Sequence, residues 1–415
     1  MTPEIKQRIE QIRRGEVPEG YKKGKLGIVP EEWNETSFSA LFTSTSDYTD
    51  DLDKYPLYSL TIEDGVTPKT ERYERSHLVK KEDSYKIIRP NDYAYNPMNL
   101  RFGAVARHKG DMPVTVSGYY DIFTTVHESD LPFMDGFLTC GPMITYYNRV
   151  STGSLVEKQR VHFSQFLDFV LPLPSIKERA QIASILTTQD KVIELKEKRL
   201  AEKQRQKKYL MQQLLTGKKR LPGFNGAWKA DRLGKMFLER KETNCEGLQM
   251  LAITGTQGII PRRELDLKDN SSEDKSKYLR VCVGDIGYNT MRMWQGVSAY
   301  SNYEGIVSPA YTILKPSLSI NAKYFAYLFK MPEIISRMDR SSQGLVDDTR
   351  NLKYGNFKKI KVFYPPDIEE QTAIAEVLSA ADREIDLLRQ DIEQEKQKEK
   401  ALLQLLLTGI VRVNV

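Results

Sequence analysis

The sequence predicts an α+β protein. We expect two tandem globular domains of mixed α/β structure, each followed by a long helix, with the two helices paired as an intramolecular antiparallel coiled coil of pseudo-twofold symmetry. Three observations predict this fold: the chain of 415 residues repeats itself at an offset of 192, both copies contain a helical stretch with apolar residues seven apart, and short β-type runs fill the segments between. At about 150 residues per domain, a chain of this length has room for two to four domains with cores of their own.

Composition excludes several classes of protein. A hydrophobic content of 40% and an aromatic content of 10% argue against a disordered chain. No run approaches the ~18 apolar residues of a membrane span, and the charged N-terminus lacks the pattern of a signal peptide. Three cysteines far apart (Cys140, Cys245 and Cys282) do not form a disulfide framework or a zinc site. We therefore expect a cytoplasmic protein, whose net charge of +6 is compatible with nucleic acid.

The repeat is strictest in the stretches that begin at Pro174 and Pro366. Residues 174–220 align without a gap with residues 366–412, and both copies contain the tetrapeptide Leu-Leu-Thr-Gly, at 214–217 and 406–409. The segments in between match at offsets of 195, 193 and 191, which indicates one scaffold with loops of unequal length. Their matched positions include Trp33 with Trp228, Thr61 with Thr254, and Tyr95-Asn96 with Tyr288-Asn289.

In chain order the sequence predicts an N-terminal helix (1–19), a first globular domain (20–172), a central helical spacer (173–217), a second globular domain (218–364) and a C-terminal helical spacer (365–415). The first segment has a charged helical pattern at about residues 2–15. Both globular domains contain β-type runs bounded by Gly, Asp, Asn and Pro, and residues 322–331 have a helical pattern.

Each helical spacer carries the seven-residue apolar spacing of a coiled coil. A proline precedes each helix, and Gly217 and Gly409 stand where a glycine commonly ends one. Residues 187–190 favour a break, which would leave a long helix of about 28 residues (188–215), ~42 Å in length. The residues predicted to form the seam are Leu186, Ile193, Leu200, Leu214, Leu378, Ile385, Ile392 and Leu406, with Lys207 and Glu399 interrupting it.

A search for catalytic motifs finds fragments only. The phosphate-binding pattern GxxxxGK[ST] does not occur, and Asn96-Pro97-Met98-Asn99 is at best part of a methyltransferase motif whose proline the second copy lacks. Asp266 and Lys268 have the local form of a nuclease site but no matching upstream acid. The four histidines (His77, His108, His127 and His162) all lie in the first half and are not repeated. We expect no catalytic residue, no metal and no cofactor.

A duplicated chain without a catalytic set is suited to a twofold-symmetric partner such as duplex DNA, whose half-sites lie ~34–36 Å apart when separated by one turn. Because the two copies differ between their shared positions, each copy is expected to recognise a different short sequence. Arg, Lys, Asn, Gln and Asp are the side chains that contact base edges. The predicted DNA-binding residues are Thr61, Asn96, Asn99, Arg101, Lys158, Gln159 and Arg160 in the first copy, and Thr254, Asn289, Arg292, Gln343, Asp348 and Arg350 in the second.

Charge on the two spacers leaves two interpretations open. Residues 196–220 hold ten Lys or Arg against two Glu, whereas residues 388–412 hold five against four acidic residues. The basic stretch either contacts DNA phosphates or neutralises acidic neighbours within the protein.

Taken together, these features resemble the specificity (S) subunit of type I restriction–modification systems. The resemblance covers essentially the whole chain. It rests on the two Pro-x-Ile-x-Glu blocks (174–183 and 366–375), the two Leu-Leu-Thr-Gly ends, Trp33 and Trp228, and Tyr95-Asn96-x-Met98 with Tyr288-Asn289-x-Met291. Pro97 and the longer loop at 104–115 have no counterpart in the second copy.

The resemblance implies that each globular domain is a target recognition domain for one half of a bipartite, asymmetric DNA sequence. It implies that the paired helices set the spacing between the halves and dock two modification (M) methyltransferase subunits, with restriction (R) subunits completing the complex. Methyl transfer from S-adenosylmethionine then belongs to M and DNA cleavage to R. Tyr209, Met211, Leu215, Leu403 and Leu407 are candidates for contact with M or for core packing. The alternatives are a coiled-coil scaffold without sequence-specific DNA binding and a fused enzyme that acts on DNA.

Overall fold

The computed structural model describes residues 2–69, 85–155, 159–245, 247–255, 257–265, 274–344 and 349–413. The chain forms two compact units. Unit 1 comprises Met1–Lys196 and Asp391–Val415, and unit 2 comprises Glu197–Gln390. Because this division passes through the middle of both long helices, the domain bounds drawn from the sequence remain a prediction.

Unit 1 begins with helix α1, which Thr2 caps by accepting a hydrogen bond from the main-chain N–H of Ile5 at 3.4 Å. The helices that lie wholly in this unit are α1 (Pro3–Arg13), α2 (Leu131–Phe137), α3 (Gly141–Val150) and α4 (Phe163–Leu167). Its strands are β1 (Tyr21–Gly24), β2 (Gly27–Pro30), β3 (Asn34–Ser37), β4 (Phe42–Thr45), β5 (Tyr48–Thr49), β6 (Tyr58–Thr61), β7 (Gly65–Pro68), β8 (Tyr85–Ile88), β9 (Tyr93–Tyr95), β10 (Val105–Arg107), β11 (Val114–Ser117), β12 (Asp121–Thr125) and β13 (Val170–Leu173).

Unit 2 repeats this plan. Its strands are β14 (Lys229–Arg232), β15 (Phe237–Arg240), β16 (Leu251–Ile253), β17 (Ile259–Pro261), β18 (Leu279–Val281), β19 (Ile286–Asn289), β20 (Ser298–Tyr300), β21 (Gly305–Val307), β22 (Tyr311–Pro316) and β23 (Lys361–Tyr364). Its own helices are α6 (Ala322–Leu328), α7 (Pro332–Arg340) and α8 (Tyr354–Phe357). Two long helices, α5 (Ile176–Leu214) and α9 (Ile368–Leu407), contribute to both units.

The sheets show the duplication directly. Unit 1 has a four-stranded antiparallel sheet in the order β10-β9-β12-β4, and unit 2 has the equivalent sheet in the order β20-β19-β22-β15. Each unit also has a matching hairpin (β6–β7 or β16–β17) and a matching pair that joins an early strand to the last one (β3–β13 or β14–β23). The repeat found in the sequence is therefore a repeat of topology.

Each core combines the sheet with parts of both long helices. Unit 1 buries an aromatic cluster around Phe123 and Phe166, together with Leu186 of α5 and Leu406 of α9. Unit 2 buries its equivalent cluster around Phe237 and Phe357, together with the two α5 and α9 residues Leu214 and Leu378. The helix ends are thus part of the globular cores, because their apolar faces cover the aromatic side of each sheet.

In both units α5 and α9 lie side by side and antiparallel. In unit 1, Lys196 contacts Asp391 at 2.8 Å. In unit 2, Lys203 contacts Glu384 at 2.8 Å, and Lys207 pairs with Asp382 further along the same helices. Of the eight predicted seam residues Leu200 is half-buried, and the other seven, Leu186, Ile193, Leu214, Leu378, Ile385, Ile392 and Leu406, are buried.

The predicted break at residues 187–190 is wrong. Helix α5 runs unbroken for 39 residues, which corresponds to ~58 Å rather than the expected ~42 Å. Two polar side chains in this stretch find partners without leaving the helix: the hydroxyl of Thr188 donates to the carbonyl of Ser184 at 2.7 Å, and the amide of Gln189 donates to Glu395 of α9 at 2.7 Å. Cross-helix bonding therefore overrides a locally poor helix sequence.

The glycines predicted to end the helices do so. Gly217 and Gly409 adopt φ values of +72° and +71°, in the left-handed region that favours glycine. Gly217 lies against Trp228, and Gly409 lies against Trp33, where a side-chain carbon would come within 2.9 Å of the indole ring. The repeated tryptophans and glycines therefore form the same contact in both units.

Candidate nucleic-acid interface

Two loops come together in unit 1, and we call them the unit 1 loop pair: residues 96–102, which follow β9, and the described part of residues 152–161. The main-chain N–H of Val161 donates to the carbonyl of Pro97 at 3.1 Å, and Thr152 and Arg160 exchange two main-chain hydrogen bonds of 2.9 Å. The hydroxyl of the buried Tyr95 also donates to the carbonyl of Val161. These bonds fix the two loops to the end of the sheet.

Unit 2 builds the same arrangement, the unit 2 loop pair, from residues 289–295 and the described part of 343–352. The N–H of Leu352 donates to the carbonyl of Thr290 at 2.8 Å, and Gln343 and Asn351 exchange main-chain hydrogen bonds of 2.8 and 2.7 Å. Thr290 occupies the position of Pro97. The loss of the proline therefore leaves the loop contact intact, because the contact uses a main-chain carbonyl that every residue has.

The repeated asparagines shape these loops. The side-chain oxygen of Asn96 accepts from the N–H groups of Met98 and Asn99 at 3.1 and 3.3 Å. Asn289 accepts in the same way from Met291 at 3.0 Å. This side-chain turn is the usual reason for Asn at such a position, and it engages the oxygen that a base would otherwise contact.

Thr61 and Thr254 lie elsewhere in their units, at the turns of the hairpins β6–β7 and β16–β17. Each hydroxyl accepts a main-chain N–H three residues ahead, that of Asp64 at 3.0 Å and that of Gln257 at 2.9 Å. The structure therefore gives both threonines the same turn-forming contact and does not bring either into a loop pair.

The remaining described candidates are exposed, half-buried or in contact with residues of their own unit: Arg160 is half-buried, and Arg350 pairs with Asp339 at 2.8 Å. Asn99 and Arg292 are exposed, at matching points of the two loop pairs. In unit 1 the guanidinium of Arg101 donates to Gln159 at 3.1 Å. In unit 2 the guanidinium of Arg350 lies 5.4 Å from the ring centre of Trp294. Lys158 and Asp348 lie outside the described residues.

Trp294 is a candidate that sequence reasoning missed. It occupies the position of Arg101, and Arg350 occupies that of Gln159, so the same cross-loop contact is an Arg–Gln hydrogen bond in one unit and an Arg–Trp cation–π contact in the other. The alignment at an offset of 193 places Trp294 opposite Arg101 and would have revealed the pair. Its residue type gave no signal, because tryptophan is not among the side chains that commonly hydrogen-bond base edges.

Several cations of the basic stretch 196–220 are engaged within the protein. Lys196, Lys203 and Lys207 form ion pairs with α9, and Arg220 pairs with Glu370 at 2.5 and 2.7 Å. Arg412, the repeat counterpart of Arg220, pairs with Glu178 at 2.6 Å. For these residues the structure favours neutralisation of acidic neighbours over phosphate contact.

The five candidates for docking or core packing divide between the two roles. Leu215 and Leu407 are buried in the cores of units 2 and 1, and Met211 and Leu403 pack against the same cores. Tyr209 is exposed. Only Tyr209 among the five presents most of its side chain to a partner.

Of the other groups considered for chemistry, His108 is buried and its Nε2 lies 2.8 Å from the carbonyl of Met112. His77, Asp266 and Lys268 lie outside the described residues. Within the described ranges, no three His, Cys, Asp or Glu side chains gather in a way that could hold a metal ion. In the same part of the chain, no helix has the length and apolar character required to cross a bilayer.

Comparison with known proteins gives a consistent result. Residues 268–397 match the family model of the type I restriction modification DNA specificity domain. The putative type I restriction enzyme MjaX specificity subunit of Methanocaldococcus jannaschii is 24% identical, over 95% of this chain and 97% of its own length.

Two solved structures share the fold. The type I restriction–modification S subunit from M. genitalium matches with a TM-score of 0.52 and 14% identity, over 95% of this chain and all of the other. A chain from a study of complex assembly and conformational transition of the type I system matches with a TM-score of 0.52 and 15% identity, over 92% and 99% of the two chains.

These matches confirm the resemblance drawn from the sequence and do not favour a scaffold without DNA specificity. The duplicated fold, the paired helices and the family match agree with one another: the chain is similar over nearly its whole length to a specificity subunit of a type I restriction–modification system, and residues 268–397 match the DNA specificity domain of that family.

Proposed function

We propose that each unit recognises one half of a bipartite, asymmetric DNA target through its loop pair. The observation that carries this proposal is that one main-chain framework is built twice with different side chains on it. Arg101 and Gln159 in unit 1 are replaced by Trp294 and Arg350 in unit 2, so the two frameworks present different hydrogen-bonding groups to a DNA groove. Two identical frameworks would recognise a palindrome, and two different ones recognise two unlike half-sites.

Within each loop pair, the side chains proposed to contact bases are those that are exposed or that bridge the two loops. They are Asn99, Arg101, Gln159 and Arg160 in unit 1, and Arg292, Gln343 and Arg350 in unit 2, with Lys158 and Asp348 retained from the sequence. Asn96 and Asn289 shape the loops that carry these side chains, and Thr61 and Thr254 shape the turns of the hairpins β6–β7 and β16–β17, because their side-chain oxygens are already engaged.

The protein acts, on this proposal, as a non-catalytic subunit in the cytoplasm, assembled with two M subunits and with R subunits. The M subunits bind S-adenosylmethionine and carry out methyl transfer. Exposed apolar residues at repeated positions of α5 and α9 support a symmetric attachment of two M copies: Ile176 with Ile368, and Leu195 with Leu387. Repeated surfaces are what two copies of one partner require.

The test is methylome sequencing of a host that carries this chain together with its M partner. Arg292→Ala should relax or change the bases methylated in one half of the target and leave the other half as it was. Asn99→Ala, at the matching point of the first loop pair, should affect only the other half. The removal of one base contact is expected to reduce discrimination by about 1–3 kcal/mol.

Because both variants retain the main-chain hydrogen bonds of the loop pairs, we expect both to fold like the wild type. A single change that alters both halves together, or a target that remains unchanged in both variants, contradicts the assignment of one half-site to each loop pair.

A further inference from the structure

Each unit contains a cavity at the same place in the repeat. In unit 1 it lies among the hairpin β6–β7, strand β10 and helix α2, and in unit 2 among the hairpin β16–β17, strand β20 and helix α6, where α5 and α9 also border it. Their volumes are about 360 and 670 Å³. The lining residues at equivalent positions are Gly65 and Gly258, Ala106 and Ala299, Arg107 and Tyr300, and Asp135 and Ala326.

The cavity of unit 1 neutralises its own charge. The guanidinium of Arg107 donates to both carboxylate oxygens of Asp135, at 3.0 and 2.7 Å, and Lys109 lies 3.4 Å from the same group. Burial raises the pKa of Asp135, but the hydrogen bond and charge of Arg107, with Lys109, outweigh it and hold that pKa below its usual value. The carboxylate of Asp135 therefore stays ionised and serves as the counterion of Arg107 and Lys109.

In unit 2 the equivalent carboxylate is gone, since Ala326 stands at the position of Asp135. Of the acidic residues that remain, Asp382 is engaged by Lys207 and by the hydroxyl of Tyr327, and Asp386 is paired with Arg389 at 3.0 Å. The cavity lining holds four basic residues, Lys207, Lys323, Lys330 and Arg389, and two acidic residues, Asp382 and Asp386. The excess of positive charge belongs to Lys323 and Lys330.

Lys330 has the chemistry of a group that lacks its counterion. Its ammonium donates to the carbonyl of Gly296 at 2.8 Å, and among the described residues no carboxylate pairs with it. Burial lowers its pKa to about 8, and the charge of Lys207 acts in the same direction. A buried ammonium without an anion is unfavourable, so an anion in the cavity would stabilise it.

Ser298 is a second, independent sign of a ligand. It lines the same cavity, its exposure is 1%, and its hydroxyl has no hydrogen-bond partner in the part of the chain that the structure describes. Buried hydroxyls are normally hydrogen-bonded, and this one can donate to an anion. The unit 1 residue at this position is Val105, which needs no partner.

We propose that the cavity of unit 2 binds a phosphate group, with the ammonium groups of Lys330 and Lys323 and the hydroxyl of Ser298 as its donors. The phosphate belongs either to the DNA backbone, in which case the site rests on the proposed function, or to a free phosphate-containing ligand. Lys330 donates its hydrogen bond to the carbonyl of Gly296. This glycine ends the turn Met293–Gln295 of the unit 2 loop pair. A bound phosphate thus also braces the loop that carries Arg292.

The first test measures thermal unfolding of the full chain at pH 7 with inorganic phosphate, against sodium chloride of equal ionic strength. We expect phosphate to raise the unfolding midpoint of the wild type. Ala326→Asp places in the cavity the carboxylate that unit 1 already carries, and Lys330→Gln removes the ammonium; each should weaken the apparent phosphate affinity at least tenfold. Lys109→Gln, in the unit 1 cavity, is the matched control and should retain the wild-type response.

The second test separates the two sources of phosphate. The salt dependence of DNA binding is measured for the chain in complex with its M partner, and the removal of one phosphate contact lowers the slope of log K against log salt by about 0.9. A slope that falls by this amount in Ala326→Asp supports a DNA phosphate. An unchanged slope, with the inorganic phosphate response abolished, supports a free ligand.

The site is overturned if phosphate stabilises the wild type no more than chloride does and the Ala326→Asp slope equals that of the wild type. A different result would overturn the proposed function: a wild-type complex that shows no base preference, whatever its response to inorganic phosphate.

Discussion

At the scale of single residues, the repeat provides its own comparison. In unit 1, Arg179 and Asp130 form a bidentate ion pair at 2.8 and 3.1 Å, with side-chain exposures of 6% and 4%. The counterparts in unit 2 are Gln371, whose side-chain oxygen accepts the main-chain N–H of Asn321 at 2.8 Å, and Asn321, whose side chain donates to Thr372 at 3.0 Å. Gln371 also donates to the carbonyl of Pro365 at 2.8 Å, as Arg179 does to that of Pro174 at 3.0 Å. One framework therefore accepts a charged pair in unit 1 and two neutral residues in unit 2.

This equivalence predicts an asymmetry between single and double substitutions. Arg179→Gln alone leaves Asp130 buried and unpaired, and should lower the free energy of unfolding by about 3–5 kcal/mol. The double variant Asp130→Asn/Arg179→Gln carries the residues found in unit 2, leaves no buried charge unpaired, and should recover more than half of that loss. Urea unfolding of the full chain measures both. A double variant as unstable as the single one would show that the two frameworks are not equivalent here.

Single positions also show what the sequence can reveal. The repeat singles out Asn96 and Asn289, but the residue type does not distinguish the two roles, because a turn and a base contact both select asparagine. The buried pair of Arg179 and Asp130 gave no signal in advance, since the two residues are 49 positions apart and their contact depends on the tertiary fold. A sequence pattern can identify residues that act locally. It cannot identify partners that only the tertiary fold brings into contact.

At the scale of elements, the paired helices differ at one repeated position. Lys207 and Asp382 form an ion pair in unit 2, whereas their repeat counterparts in unit 1 are Glu399 and Asp190, both acidic. Burial raises the pKa of Glu399 to about 7, and the hydrogen bond and charge of Asp190 on α5 act in the same direction, against Lys396 of α9 and Lys109. A shared proton thus replaces the ion pair.

The sign of the resulting pH dependence follows from this raised pKa. Since folded Glu399 binds its proton more tightly than the unfolded chain does, the stabilisation is fully present below pH 4.5 and is lost as the pH rises through about 7. Glu399→Gln should remove this part of the pH dependence. Glu399→Lys should recreate the ion pair of unit 2 and raise the unfolding midpoint at pH 8 more than at pH 5. Thermal unfolding at the two pH values measures both, and an equal shift at each would refute the shared proton.

The heptad spacing and the terminal glycines allowed the long helices, their antiparallel pairing and their ends to be predicted. Their continuity could not be predicted, because residues 187–190 are poor helix formers whose stability comes from bonds to α9 such as that of Gln189. The β-strands were located only roughly, since runs of three or four residues such as β9 and β20 carry little periodicity of their own.

At the scale of the whole molecule, both units contain a stretch of α5 beside a stretch of α9, and a change to the helices is a change to the chain as a whole. We predict that removing residues 194–200 and 387–393 together, one heptad from each helix, shortens the unspecified spacer of the DNA target by about three base pairs. Seven residues correspond to ~10.5 Å of helix, and DNA rises ~3.4 Å per base pair.

Methylome sequencing with the M partner gives the spacer length directly. Removal of the heptad from α5 alone shifts its ion pairs with α9 out of register, so this control should lose methylation instead of shortening the spacer. If the double deletion methylates DNA at the original spacing, the helices do not set it.

The two contacts between tryptophan and glycine have a further consequence. Gly217 meets Trp228, eleven residues further along the chain, whereas Gly409 meets Trp33, near the opposite terminus, and the hydroxyl of Tyr21 donates to the carbonyl of Gly409 at 2.7 Å. The segment around Gly409 therefore lies against the segment that holds Tyr21 and Trp33, as the segment around Gly217 lies against Trp228. A circular permutation that links the region after Gly409 to the region before Tyr21 and opens the chain after Gly217 would exchange which half is translated first and leave every one of these contacts in place.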